Sequence, residues 1–370
     1  MKYIDEFRNK NLIRKISAEI SGLMPEEEIR LMEVCGTHTQ SFYRFGLDKL
    51  LPDNLCLIAG PGCPVCVSSQ DYIDRAIELS SQPQTIILSF GDMMRVPGTN
   101  STLEKKKAAG GDVRIIYSAW DSLTVAKANP GKKIVLLAVG FETTAPTFAL
   151  TLLAAQKEKL KNLLFFSALK LIPPAMKALV CDPRIKIHGF LCPGHVSAII
   201  GSRAYEFITR KYKIACCVAG FEPADIMEGI YFLLKQIREK KSRVDNQYMR
   251  VVKRKGNPMA VATIKKVFRV SDCAWRGLGM IPKSGLKLRN EYLKFDAERQ
   301  MPVKIKHKKE DKRLKKCRCH EVLKGIIRPS ECILFRRACR PDNPYGACMV
   351  SREGACNAYY RYRRDIKYER

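Results

Sequence analysis

The residues best equipped for chemistry in this chain are cysteines, and they fall into two groups. Near the N-terminus, Cys35 opens the run Cys35-Gly36-Thr37-His38-Thr39, and Cys63 and Cys66 sit in Gly60-Pro61-Gly62-Cys63-Pro64-Val65-Cys66. A cysteine followed by glycine and a hydroxyl residue suits a turn whose backbone N–H groups approach the sulfur and favour the thiolate, the metal-binding form. His38 is placed to ligate a metal or to donate a hydrogen bond behind one. The plainer reading is a buried cysteine with a capping threonine. Cys-x-x-Cys with an internal proline holds two sulfurs close in a stiff turn, suited to a metal or to reversible dithiol–disulfide exchange.

The second group is Cys317, Cys319, Cys332, Cys339, Cys348 and Cys356, six cysteines within 40 residues. Four thiolates hold a cubane iron–sulfur cluster or a structural zinc. Zinc sites commonly show paired Cys-x2–4-Cys spacing, whereas these gaps are long and irregular, which favours iron–sulfur. Two of the six are then spare. No second Cys-x-x-Cys accompanies Cys63 and Cys66, so a redox or transient metal role suits that pair. Fifteen cysteines in a chain with no signal-peptide core near Met1 to Arg30 do not read as a disulfide framework. The expected compartment is the cytoplasm.

The elements that must position these loops are legible in the apolar pattern. Seven short apolar runs read as buried strands: Leu55–Gly60, Thr85–Phe90, Val113–Ser118, Ile134–Gly140, Leu163–Ala168, Ile187–Cys192 and Ile214–Gly220. Segments of helical pattern separate most of them, such as Gln70–Ser81 and Pro146–Leu160. Glu26–Met32, ahead of Cys35, reads as a short helix or strand. Apolar strands alternating with helices predict an α/β fold with parallel sheets covered on both faces. Ligands in such folds sit beyond the carboxyl ends of strands, where the Gly/Pro loops GPGCPVC, GDMMRVPG, GFETTAP, CPGHVS and GFEPAD fall. Glu142, Thr143, Thr144, His195, Ser197, Glu222 and Asp225 stand in these loops, either lining a cleft or, for the hydroxyls especially, capping the next helix.

AVGFETTAP (138–146) echoes VAGFEPAD (218–225), which suggests either two related halves or two similar strand–turn–helix joints. The sequence divides into an α/β domain over 1–145 with both N-terminal cysteine loops, a second over 146–245, and a C-terminal domain over 246–370 built around a metal centre, with the N-terminal segment a candidate to pack on it. Lys241–Pro258 is polar and reads as a connection. Lysine and arginine number 66 against 37 acidic residues, a net charge of +29, much of it in 304–318. A nucleic-acid partner is one explanation and a solvated linker another; no aromatic residues interleave with the run and no nucleic-acid module accompanies it, so no such partner is expected. No apolar run of about 18 residues predicts a membrane span. Phosphate-binding loops, a nucleophile elbow and H-E-x-x-H are all absent.

Taken together, MEVCGTHT (32–39), GPGCPVCV (60–67), GDMMRVPG, GGDVRIIYS, GFETTAP, PGHVSAIIG, AGFEP, WRGLG and the block from Cys317 to Tyr360 resemble the HypD family of [NiFe]-hydrogenase maturation proteins over nearly the whole chain. The resemblance implies two similar α/β domains and a smaller [4Fe–4S] domain. It implies a scaffold on which iron acquires cyanide and carbon monoxide as an Fe(CN)2CO group, together with a HypC-like chaperone and a HypE-like cyanide donor, for delivery to a hydrogenase large subunit. Whether that role makes the protein an enzyme is a matter of definition. By the same resemblance Cys35 is the iron-binding cysteine, Cys63 and Cys66 the redox dithiol also tied to iron, and His38 a motif histidine beside them. The family spacing Cys-x14-Cys-x6-Cys-x16-Cys selects Cys317, Cys332, Cys339 and Cys356 for the cluster and leaves Cys319 and Cys348 spare. Gln40 stands where many relatives have a further histidine, and Val67-Ser68-Ser69 replaces Val-Thr-Pro. A stand-alone iron–sulfur thiol oxidoreductase is the alternative function.

Overall fold

A computed structural model describes residues 5–303, 305 and 316–363; most of the basic run 304–318 lies outside the described residues. The strands are β1 (Ile29–Glu33), β2 (Leu55–Ala59), β3 (Thr85–Ser89), β4 (Val113–Ile115), β5 (Lys133–Gly140), β6 (Leu163–Leu169), β7 (Gly189–Pro193), β8 (Ala215–Ala219), β9 (Val244–Asn246), β10 (Phe268–Trp275) and β11 (Gly279–Leu288). All seven predicted strands are present within a few residues of their expected ends, as are helices Gln70–Leu79 and Ala145–Lys157.

Two parallel sheets result, one ordered β2-β1-β7-β8-β9 and the other β4-β3-β5-β6. Counted in chain order within each sheet, these are 2-1-3-4-5 and 2-1-3-4. The two α/β units thus share a doubly wound order, with the winding reversing between β1 and β7 and between β3 and β5. Both faces are covered: every residue of β5 after Lys133 is buried, as is all of β3, β7 and β8. Continuous apolar strands have no face left for water.

The sheets do not divide where the sequence suggests. Strands on either side of residue 145, β5 and β6, are register neighbours from Ile134↔Leu163 to Gly140↔Leu169. The first sheet is instead discontinuous: β1 and β2 pair in parallel, and β7 joins the other edge of β1 with Leu31 opposite Gly189. The whole second sheet is an excursion between β2 and β7. Sequential neighbours usually pair, which is why a cut between runs looked natural. The GFE echo does not mark equivalent strands, because β5 is third in its sheet and β8 fourth in the other.

Two further corrections concern the C-terminal third. The polar stretch after Lys240 contains β9, held to β8 by Cys216↔Val244. Residues 258–295 belong to the α/β body: helix Pro258–Val267 packs on Ala145–Lys157, and the antiparallel β10–β11 hairpin lies along β6. Phe268, Leu286 and Leu288 share a core with Phe148, Leu152 and Phe165. The N-terminal helix Lys10–Leu23 packs on Pro223–Arg238, covering the first sheet, through Ile13, Ile16 and Ile20. Among the described residues no helix is long and apolar enough to cross a membrane.

Candidate functional site

Cys35 lies just past the carboxyl end of β1, at the switch point of the first sheet, and immediately precedes helix Gly36–Arg44. Cys63 lies just past β2 and leads the short helix Pro64–Val67, where the Cys66 N–H donates to Cys63 Sγ at 3.4 Å. The two loops are pressed together. Gly36 N–H donates to Gly62 O at 3.1 Å, and Gly60 N–H to Glu33 O at 2.7 Å. A Cβ on Gly62 would sit 2.2 Å from Cys35 N, and one on Gly36 would sit 2.5 Å from Glu353 Cβ. Those glycines are required by close approach, not by backbone angle. The 351–354 turn closes the third side, with the Thr37 hydroxyl donating to Glu353 at 2.8 Å.

The electrostatics differ from the sequence expectation at Cys35. The N–H groups of Thr37 and His38 do reach its sulfur, but burial outweighs them and, with the nearby Glu353 and Glu33 carboxylates, pushes the thiol up to about 12. Glu33 is itself buried; its carboxylate accepts from Cys35 N–H at 2.9 Å and from the Thr39 hydroxyl, and burial raises it well above its usual range. His38 is fully buried. Its Nε2 donates to Gly220 O at 2.8 Å, its Nδ1 has no partner among the described residues, and burial lowers it to about 4, so the ring is neutral. It ties the Cys35 turn to the end of β8.

Beside this junction the six C-terminal cysteines line one apolar cavity with Val322, Leu334, Phe335, Gly346 and Met349. Helix Ala347–Val350 packs on Pro64–Val67, so this cavity adjoins the dithiol. The thiols form a continuous line: Cys63 touches Cys66, Cys66 touches Cys348, and Cys348 touches both Cys356 and Cys319, which reaches Cys317. Cys348 and Cys319, spare by family spacing, are the links in that line. Cys339 Sγ accepts from Tyr345 N–H at 3.4 Å. Gly346 makes room, since a Cβ there would sit 2.5 Å from Cys317 Sγ. Among the described residues no three His, Cys, Asp or Glu side chains converge as one metal ion demands. A cubane spreads its thiolates over separate corners, and an apolar, cysteine-lined cavity with backbone N–H groups aimed at sulfur fits such a cluster.

Comparison with known proteins decides the family. A family model described as HypD, hydrogenase formation hypA family, matches residues 9–363. The chain belongs to the HypD family. It is 44% identical to the hydrogenase maturation factor HypD of Escherichia coli K12 over 370 residues, covering 98% of both chains. It is 42% identical to HypD of Azotobacter vinelandii, over 98% of this chain and 97% of that one, and 39% identical to HypD of Cupriavidus necator, over 98% of each.

Within this HypD-family chain the other loop residues divide by role. Glu222 and Asp225 form a capping box on helix Pro223–Arg238, and Arg250 holds Asp225 with contacts of 2.8 and 2.5 Å. Ser197 caps nothing; it lies inside helix Gly194–Ile200 and donates to Pro193 O at 2.7 Å. Thr144 occupies a helix-leading position, yet its hydroxyl turns back to Phe141 O at 3.3 Å. His195 is exposed and stacks on Phe221, whose other neighbour is His38. Glu142 is buried; Oε1 accepts from Ile172 N–H at 3.0 Å, Oε2 has no partner among the described residues, and burial raises the acid to about 8.

Sequence reasoning did not single out Glu33, Glu353 or Arg276. Arg276 donates from Nε to Ser68 O at 2.8 Å and from its N–H to Val67 O at 2.9 Å, pinning the Cys66 helix from the β10 side. Its place in WRGLG was the available signal. Lys170 is buried as well, with Nζ 3.0 Å from Cys273 Sγ and facing the Trp275 ring.

Proposed function

We propose that this chain is the scaffold on which a hydrogenase iron centre receives its cyanide and carbon monoxide ligands, in complex with a HypC-like chaperone and a HypE-like cyanide donor. Family membership supports the pathway, and one observation supports the chemistry: an unbroken line of thiols joins the six-cysteine cavity to the loop that presses against Cys35. Cys35 is the iron-binding residue in this reading, with Cys63 and Cys66 beside it. In this reading the HypC-like partner supplies a further ligand to the iron. Iron here is cargo, held by soft sulfur with positions open for strong-field ligands.

Cys317, Cys332, Cys339 and Cys356 would hold a [4Fe–4S] cluster, which supplies single electrons. Cys348 and Cys319 stand between those residues and the dithiol, and Cys63 with Cys66 can exchange dithiol for disulfide. His38 and Glu33 hold the Cys35 turn in place. A stand-alone thiol oxidoreductase is disfavoured by burial, since Cys63 is 3% exposed and Cys66 not at all, leaving no approach for an external protein disulfide.

The test is Cys35→Ala, isolated anaerobically with its partners. The infrared bands of iron-bound cyanide and carbon monoxide should disappear while cluster absorption and circular dichroism stay as in the parent. Persistence of those bands would overturn the assignment of Cys35. Mössbauer spectra of the parent should show both a cluster and a separate mononuclear iron.

A further inference from the structure

A cavity of about 180 Å³ opens between β2 and the C-terminal segment. Its walls include Tyr43, Cys56, Ile58, Arg328, Tyr359 and Arg363. Three features say what fits it. First, Arg328 Nη2 lies 2.7 Å from Cys56 Sγ, and among the described residues its guanidinium has no carboxylate partner. Among the described residues the remaining N–H groups of that fork meet no carboxylate, and their geometry suits one. Second, Arg363 adds positive charge, steadied by Asp48 at 3.1 Å and by the Tyr359 hydroxyl. Third, among the described residues β2 is a sheet edge bonded to β1 alone, so half of its peptide groups face outward and can receive an extended chain.

We propose that this cavity captures a small carboxylate-bearing peptide disulfide, and that Cys56 is thereby a site of S-thiolation. The Cys56 sulfur attacks one sulfur of the disulfide, a new S–S bond forms, and the original S–S bond breaks. Cys56 is oxidised, the departing thiolate is reduced and takes up the proton that Cys56 released, and no further oxidant is needed. Arg328 faces the negative charge on the attacking sulfur while its fork anchors the carboxylate. Val322 lines both this cavity and the cysteine-lined one, so an adduct on Cys56 sits against the wall of the cluster pocket.

Cys181 provides an internal standard, because it is exposed whereas Cys56 is half-buried. The reduced full-length protein is treated anaerobically with oxidised glutathione, and adducts are mapped by mass spectrometry over time. Cys56 should be modified about tenfold faster than Cys181, the scale of one charge-assisted contact. Arg328→Gln should remove that advantage without changing Cys181. Cystamine, which carries ammonium groups in place of carboxylates, should show no Cys56 preference. Faster modification of Cys181 than of Cys56 in the parent protein would overturn the proposal with no variant needed. So would an unchanged Cys56 rate in a folded Arg328→Gln protein, or equal preference for cystamine.

Discussion

Gly62→Ala is the sharpest perturbation of the junction between the two N-terminal cysteine loops. The added methyl carbon would lie 2.2 Å from Cys35 N, 2.4 Å from Cys35 Cα and 2.5 Å from Val34 C, all backbone atoms with no rotamer to yield. Ordinary contact begins near 3.4 Å, so the loops must part by about 1.2 Å. That breaks the 3.1 Å bond from Gly36 N–H to Gly62 O and moves Cys63 relative to Cys35. Overpacking of this kind costs about 1–3 kcal/mol in stability. A misplacement of about 1 Å among reacting groups costs about 100-fold in rate. Function should therefore fall far more than the fold. The assay is paired: urea unfolding of the isolated protein, and infrared quantitation of iron-bound cyanide and carbon monoxide in the complex. Gly131→Ala is the control, since nothing lies within 4 Å of its added carbon. Parental band intensity in a normally stable Gly62→Ala protein would refute the idea that iron is handled where these loops meet.

Three other outcomes follow from the same geometry. Gly346→Ala drives a carbon to 2.5 Å from Cys317 Sγ, so reconstituted protein should lose most cluster absorption while keeping its helix content. Cys348→Ser should keep that absorption, because family spacing assigns the ligands elsewhere, but should slow reduction of a Cys63–Cys66 disulfide by the reduced cluster; loss of the absorption would make Cys348 a ligand instead. Glu142 has an acid pKa raised by burial from 4.5 to about 8. Its contribution is complete below pH 4.5 and lost as pH rises through 8, on the order of 5 kcal/mol at most. Glu142→Gln should therefore gain stability relative to the parent between pH 5 and pH 8 in urea titrations, and a pH-independent difference would contradict a neutral, buried Glu142.

Much of the architecture could be read from periodicity, because buried parallel strands are continuous apolar runs. β3, β5, β6 and β8 have no polar alternation to confuse the pattern. What failed was partnership. Nothing in IRLME or in its spacing says that β1 waits for a strand some 160 residues away, since register is set by packing that a local window does not contain. β9 escaped because VDN is short and polar, and it is held by an edge pairing and by side-chain hydrogen bonds from Gln236 and Arg243 to Asp245. The hairpin β10–β11 escaped because its outer face carries arginine, lysine and exposed Val270 and Met280. At the site, the cysteine groups announced themselves by density and loop chemistry. The carboxylates Glu33 and Glu353 did not, since a glutamate beside an apolar run reads as a solvated charge. Donors near the Cys35 sulfur were foreseeable; that burial would outweigh them was not, because burial is a property of the assembled loops.

The excursion between β2 and β7 has a consequence for biogenesis. Cys35 and Cys63 are translated early, yet β1 gains its second neighbour only when residues 189–193 have emerged, and His38 finds its acceptor only at Gly220. The second sheet, whose strands are sequentially contiguous, can fold first, while the long-range pairing of β1 with β7 is slow by its sequence separation. The last segment to arrive carries Glu353 and the six cysteines. On the ribosome, then, the thiols near Cys35 stay unsheltered until the segment carrying Cys348 and Glu353 has been made. A truncated product ending before residue 317 would display a dithiol with neither its covering helix nor its thiol neighbours.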